Sequence, residues 1–148
     1  MLRELHGDLI KYALGGEFDA IIHGCNCFCT MGAGIAKQIS TTFPEAYQAD
    51  LATTKGDKTK LGSYSSAMSK GILVINAYSQ FDYRGRGVKA DYDAIKRCMQ
   101  QIAADHPTLR IGIPQIGAGL AGGDWPTILA ILSDAFNGKQ ATIVYYRP

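Results

Sequence analysis

The sequence predicts an α/β protein built on a mixed, mostly parallel sheet. Three observations carry that expectation. Runs rich in β-branched residues alternate with helical patterns, and this alternation lays helices over strands that run mostly parallel. Glycine-rich turns stand between strand and helix patterns at "MGAGIAKQIS" (31–40) and "IGAGLAGGDW" (116–125). The chain has 148 residues, close to the length of one domain, so 1–148 reads as a single unit. At that length a fold buries roughly 68–70% of its unfolded surface, enough for its own core.

The elements follow in order. "LRELH" and "FDAIIHG" read as strands, the second rich in β-branched residues. In "GAGIAKQISTTF", Ile35, Ile39 and Phe43 share one helical face. Pro44 interrupts that helix before a further turn through Tyr47 and Leu51. "SYSSAM" and "GILVINAY" form a hairpin about Ser69-Lys70-Gly71. A polar loop, "SQFDYRGRGVK", leads to a helix in which Tyr92, Ile95, Cys98, Met99 and Ile102 keep helical spacing until His106-Pro107. "LRIGIPQ" reads as a buried strand. Asp124 caps the last helix, Pro126 fits its first turn and Asn137-Gly138 ends it. "ATIVYY" is the closing strand. There is no internal repeat, linker or low-complexity tract.

Composition narrows the function classes. A net charge of +2 is too small to imply a nucleic-acid partner by itself. No apolar run approaches the ~18 residues of a membrane span, and "MLRELHGDLI" carries Glu4 and Asp8 in place of a signal-peptide apolar stretch. Three of four cysteines crowd into "CNCFC", where i, i+2 disulfides are sterically poor. A reducing compartment, the cytoplasm, is expected. His23, Cys25, Cys27 and Cys29 are spaced more tightly than zinc-binding C-x₂₋₄-C and have no second ligand pair. Neither a metal nor a cofactor is expected.

The segment Gly117–Gly122 matches the dinucleotide pattern G-x-G-x-x-G between a strand and a helix. That fingerprint belongs to the first β-α-β unit and needs an acidic residue about 20 positions on. "ATIVYY", the strand reached by that count, has neither Asp nor Glu. A nicotinamide site is therefore disfavoured. "GAGIAK" lacks the G-K-[ST] ending of a Walker loop, since Lys37 lies between Ala36 and Gln38. One such turn is ordinarily a tight strand–helix connection. Two of them present backbone N–H groups at two helix starts, which suits the two ends of one phosphorylated ligand.

These stretches together resemble the macrodomain family, over almost the whole chain. "HGDLI" resembles its Gly-Asp-hydrophobic stretch, "IIHGCNCFCTMGAGIAKQISTTFPEAY" its first ligand loop and helix, "IPQIGAGLAGGDW" its phosphate-holding loop, and "IVYY" its closing strand. The resemblance implies a three-layer α/β/α sandwich that binds ADP-ribose. Within the family, "IHGCNC" and "PQI" are similar to ADP-ribose 1″-phosphate phosphatases. "GLAGGDW" and the lysine of "GRGVKADY" are similar to antitoxins that remove ADP-ribose from DNA thymidine.

By that resemblance Asp8 accepts from the adenine amino group, Leu9 lines its pocket and Tyr145 lies nearby. Asn26, Met31 and the turn Gly32-Ala33-Gly34-Ile35 meet the distal ribose and phosphates. Gln115, Ile116, Gly117, Ala118, Gly119, Leu120 and Ala121 wrap the diphosphate. Ala121 stands where the terminal ADP-ribose protein glycohydrolase has a catalytic aspartate. A lysine–aspartate mechanism therefore does not transfer whole, although the antitoxin branch keeps the lysine alone.

Lys89 is the implied catalytic residue, attacking or polarising C1″ of the distal ribose. Arg84 and Arg86 would depress its pKa or contact a phosphate or DNA strand on the acceptor. His23 is a second acid/base candidate. The expected function is removal of ADP-ribose, by cleavage at C1″, from a modified protein carboxylate or nucleic acid. The alternatives are an ADP-ribose 1″-phosphate phosphatase and a non-catalytic ADP-ribose reader. The expected molecule is a monomer without a membrane partner.

Overall fold

Strand-forming residues set the centre of the molecule. The computed structural model describes residues 2–148. Its strands are β1 (Arg3–Gly7), β2 (Ala20–Cys25), β3 (Tyr64–Ser69), β4 (Ile72–Tyr78), β5 (Ile111–Ile113) and β6 (Ala141–Tyr146). They pair in the order β1-β6-β5-β2-β4-β3, with only the edge strand β3 antiparallel. The apolar runs of β2 and β4 lie side by side and are buried on both faces, as parallel strands under two helical layers must be. Lys70 and Gly71 both take positive φ, 53° and 79°, the twist that a two-residue hairpin turn needs.

The helices are α1 (Leu9–Leu14), α2 (Gly34–Thr42), α3 (Pro44–Leu51), α4 (Tyr92–Asp105) and α5 (Trp125–Ala135). Alternation along the strands divides the core. Ile22, Ile75, Ile113 and Ile143 point to α4 and α5, whereas Ile21, Val74 and Val144 point to α1, α2 and α3. The result is the expected three-layer sandwich. Gly112 is required where it stands: a Cβ there would lie 2.6 Å from Phe18 and 2.7 Å from Leu9, so its absence lets α1 approach the sheet. Among the described residues no helix is long and apolar enough to cross a membrane.

Three elements depart from the sequence-based expectation. The stretch after β1 continues as α1, whose six residues bury Leu9, Ile10 and Ala13. "LRIGIPQ" shrinks to a three-residue ladder, and Pro114, lacking an N–H, follows directly. A 3₁₀ turn at Lys58–Lys60 was also not foreseen.

Candidate functional site

Strand order places the site. β2 and β5 are neighbours, yet β2 feeds α2 on one face and β5 feeds α5 on the other. Their loops diverge and open a crevice at the carboxyl ends of the strands, the topological switch point of an α/β sheet. The two glycine turns are those loops. They meet directly, because a Cβ on Gly34 would touch the Leu120 side chain at 3.5 Å.

The first loop ends in a helix start left open to anions. Aspartates at 8, 91 and 124 cap α1, α4 and α5 with side-chain hydrogen bonds, but Ala33 precedes α2 and offers none. The first N–H groups of α2 and the positive end of its dipole are left for a ligand. Asn26 is nearly buried and closes this loop on itself: its Nδ2 donates to Thr30 Oγ1 at 2.8 Å, and its Oδ1 accepts from the Phe28 amide at 2.8 Å.

The second loop is held from within. The Gly123 amide donates to Gly117 O at 2.7 Å and the Gly122 amide to Gly119 O at 3.1 Å. Among the described residues the amides of Gly117, Gly119, Leu120 and Ala121 reach no protein acceptor. Gly117 and Gly122 take φ of +75° and +71°, the conformations that curl the loop into a cup of N–H groups. Leu120 stands over the crevice with 81% of its surface exposed.

Lys89 is tied to this cup by its backbone. Its amide and that of Ala90 both donate to Ala121 O, at 2.7 and 3.2 Å. The Lys89 amine rests beside Gly85, where a Cβ would lie 2.9 Å from Nζ. Arg84 is held by Asp82 through a two-point ion pair at 3.0 Å, which draws the Asp82 carboxyl down to about 2. Asp124 caps α5 by accepting from the Thr127 amide at 3.1 Å.

At the sheet edge, Asp8 follows β1 and accepts from the Lys11 amide at 3.1 Å. Tyr145 donates its hydroxyl to Glu4 at 2.8 Å, accepts from Trp125 Nε1 at 3.2 Å and stacks on His6 with ring centroids 5.3 Å apart. Sequence reasoning missed His6 and Trp125, whose approach to Tyr145 depends on the β1–β6 register that pairs His6 with Tyr145.

Four of the expected site residues have buried side chains. Leu9, Met31 and Ile116 are three of them, and Leu9 packs against Gly112 of β5. Ile116 packs under Gly24, where a Cβ would lie 3.0 Å from its Cγ1, and Met31 packs with Cys25, Cys27 and Tyr78. His23 is fully buried on the α2/α3 side of β2 and donates from Nε2 to Asn76 Oδ1 at 2.6 Å. Asn76 in turn donates to Ala46 O at 2.9 Å and to Ser65 Oγ at 3.0 Å. These bonds hold the imidazole between β2, β4 and α3.

The thiols diverge. Cys25 faces His23, Cys27 donates to Gln80 O, and Cys29 donates to Asp50 O. Burial pushes the Cys25 and Cys27 thiols up, so both stay protonated.

Burial lowers His23 from 6.5 to about 4, against the opposing pull of its Asn76 hydrogen bond. The unfolded chain therefore binds a proton below pH 6.5 that the fold refuses until about pH 4. Stability is full above pH 6.5 and falls as pH drops through that window, by about 3 kcal/mol at most. Urea unfolding at pH 7 and pH 5 checks this. Equal unfolding free energies would contradict it.

Comparison with known proteins agrees with this architecture. The Macro domain family model matches residues 22–132. An uncharacterized 17.5 kDa protein of Enterobacteria phage T4 is 36% identical, over all of this chain and 98% of its own length. The DNA ADP-ribosyl glycohydrolase of Thermus aquaticus is 25% identical over all of this chain, which spans 41% of that protein. Among solved structures, the macrodomain of Thermus aquaticus DarG superposes with a TM-score of 0.76 at 20% identity, covering 100% of this chain and 99% of that one. Thermosipho africanus DarTG in complex with ADP-ribose gives 0.74 at 14%, covering 100% and 42%. The chain belongs to the macrodomain family and is related to DNA ADP-ribosyl glycohydrolases.

Proposed function

We propose that this macrodomain binds ADP-ribose in the switch-point crevice and removes it from a modified nucleic acid by hydrolysis at C1″. The observation that carries the reading is the pair of N–H-lined loops meeting at Gly34 and Leu120, with Lys89 pinned beside them at Ala121 O. The adenine lies at the β1/β6 end by Asp8 and Tyr145, and the diphosphate in the cup of Gly117–Ala121. The distal ribose lies between Asn26 and the start of α2. This order follows the strands and leaves C1″ facing the β4–α4 loop, where Lys89 stands.

In the reaction the bond from C1″ to the acceptor breaks, and a water oxygen takes the acceptor's place on C1″. The acceptor leaves with a proton. Lys89 bears on C1″ with its amine, and the loop amides hold the phosphates so that the ribose is fixed for attack. The relation to the Thermus aquaticus DNA ADP-ribosyl glycohydrolase and the exposed Arg84 and Arg86 favour a nucleic-acid acceptor over a protein carboxylate. The phosphatase alternative draws on "IHGCNC" and "PQI", and the His23 it would use as acid/base is fully buried.

The test is product release from ADP-ribosylated single-stranded DNA, ADP-ribosylated protein and ADP-ribose 1″-phosphate, side by side. Free ADP-ribose from the DNA substrate is expected. Inorganic phosphate from the third substrate alone would contradict the reading.

Asp8 separates binding from stability. Asn caps helices about as well as Asp, so Asp8→Asn keeps the start of α1 while removing the charge offered to the adenine amine. Calorimetry should show ADP-ribose binding weakened by about 1–3 kcal/mol, with Tm unchanged. Full affinity in this variant would move the adenine elsewhere.

A further inference from the structure

We infer that the rim beyond the distal ribose is a stacking platform for single-stranded nucleic acid, built from Phe28, Phe81, Tyr83 and Arg84 and edged by Lys55, Lys58 and Arg86. The inference rests on the crevice reading for its direction: with adenine at β1/β6, an acceptor on C1″ emerges over the β4 loops. Three loops converge there. The Cys27 amide donates to Phe81 O at 2.9 Å, the Gly56 amide donates to Cys27 O at 2.7 Å, and the Phe28 amide donates to Asn26. A Cβ on Gly56 would lie 3.3 Å from the Phe28 ring, so this glycine seats the loop bearing Lys55 and Lys58 against that ring.

The side chains form a row of rings and cations in the order Lys58, Phe81, Phe28, Arg84, Tyr83. Phe28 and Phe81 meet edge to face with centroids 5.0 Å apart. The Arg84 guanidinium lies 4.9 Å from the Phe28 centroid and 5.6 Å from that of Tyr83, while Lys58 Nζ lies 4.9 Å from that of Phe81. Both phenylalanines are half-exposed and Tyr83 is exposed, an arrangement that leaves flat surface for a base.

Charge selects the partner. Lys55, Lys58, Arg84 and Arg86 are exposed around the rings. Against them stand two carboxylates, Asp82 paired with Arg84 and Asp57 holding Thr59, so the cations remain in excess by two. Cations beside half-exposed rings suit phosphates linked to bases. A duplex hides its base faces, so the fit is to an unpaired strand. A protein acceptor uses only the charges.

The test is fluorescence anisotropy of an unmodified, fluorescein-labelled oligothymidine. The wild-type protein should bind it with an affinity that falls with salt, by a slope of about −0.7 per phosphate neutralised. The exposed double variant Lys58→Glu/Arg84→Glu should weaken binding at least about tenfold, and Phe28→Ala about tenfold. Calorimetry should show ADP-ribose affinity unchanged in the double variant, which also reports that it folds.

Unchanged oligonucleotide binding in the double variant would overturn the platform. So would a wild-type protein that releases ADP-ribose from modified protein but does not bind the oligonucleotide, an outcome that keeps hydrolysis at C1″ and replaces the nucleic-acid acceptor by a protein. Oligonucleotide binding lost in the variants, with no wild-type turnover of any substrate, would support the platform and remove the hydrolase reading.

Discussion

Lys89→Ala is expected to slow single-turnover release from ADP-ribosylated DNA by about 10²–10⁴-fold while leaving ADP-ribose affinity unchanged. That pattern marks an interaction made only in the transition state. The geometry explains why the two effects separate. The lysine's backbone amide holds Ala121 O at 2.7 Å and survives the substitution, so the phosphate cup keeps its shape. Only the amine beside Gly85 is lost. Asp124→Ala is the contrasting variant. It removes the cap on the Thr127 amide and should lower stability by about 0.5–2 kcal/mol, read as Tm, with the rate retained in the folded protein. A Lys89→Ala protein with wild-type rates would sink the assignment, and a large rate loss in Asp124→Ala would return the aspartate to the chemistry.

Gly119→Val should abolish ADP-ribose binding, by at least about 100-fold or 2.7 kcal/mol, in a protein with native circular dichroism. Gly119 needs no positive φ, and a Cβ there meets nothing within 4 Å, so the fold tolerates a side chain. The ligand does not, because a branched side chain blocks the approach to the free amides of residues 119–121. Gly117 is the opposite case. It takes φ +75° and a Cβ would press on Ile128 at 3.1 Å and Ile95 at 3.2 Å, so substitution there damages the fold itself. Native spectra with retained ADP-ribose affinity in Gly119→Val would place the phosphates elsewhere.

Much of this arrangement was legible in the sequence for identifiable reasons. β2, β4, β6 and α4 carry strong periodicity, and Asp124 announces its cap by standing before Trp125-Pro126. The Lys70-Gly71 turn follows from a hairpin loop too short for any geometry but the positive-φ one. Helix α1 was missed because six residues bury only three side chains, a pattern too brief to rise above a loop.

The site divided differently. The free amides of Gly117–Ala121 were legible from loop chemistry, since backbone N–H groups do not depend on where side chains point. The burial of Leu9, Met31, Ile116 and His23 was not, because exposed and buried residues of a loop are neighbours in sequence. Strand parity put His23 and Cys25 on one side of β2, but only the packing of α3, with Asn76 reaching Ala46 O, buried that side. The Arg84–Phe28–Phe81 row joins loops more than 50 residues apart, and nothing local announces it.

Isothermal titration calorimetry of the wild-type protein decides whether the crevice takes ADP-ribose. A one-to-one complex with ADP-ribose in the micromolar range or tighter, about −8 kcal/mol, is expected, with weaker binding of NAD. Tight binding of NAD with no heat from ADP-ribose would contradict it.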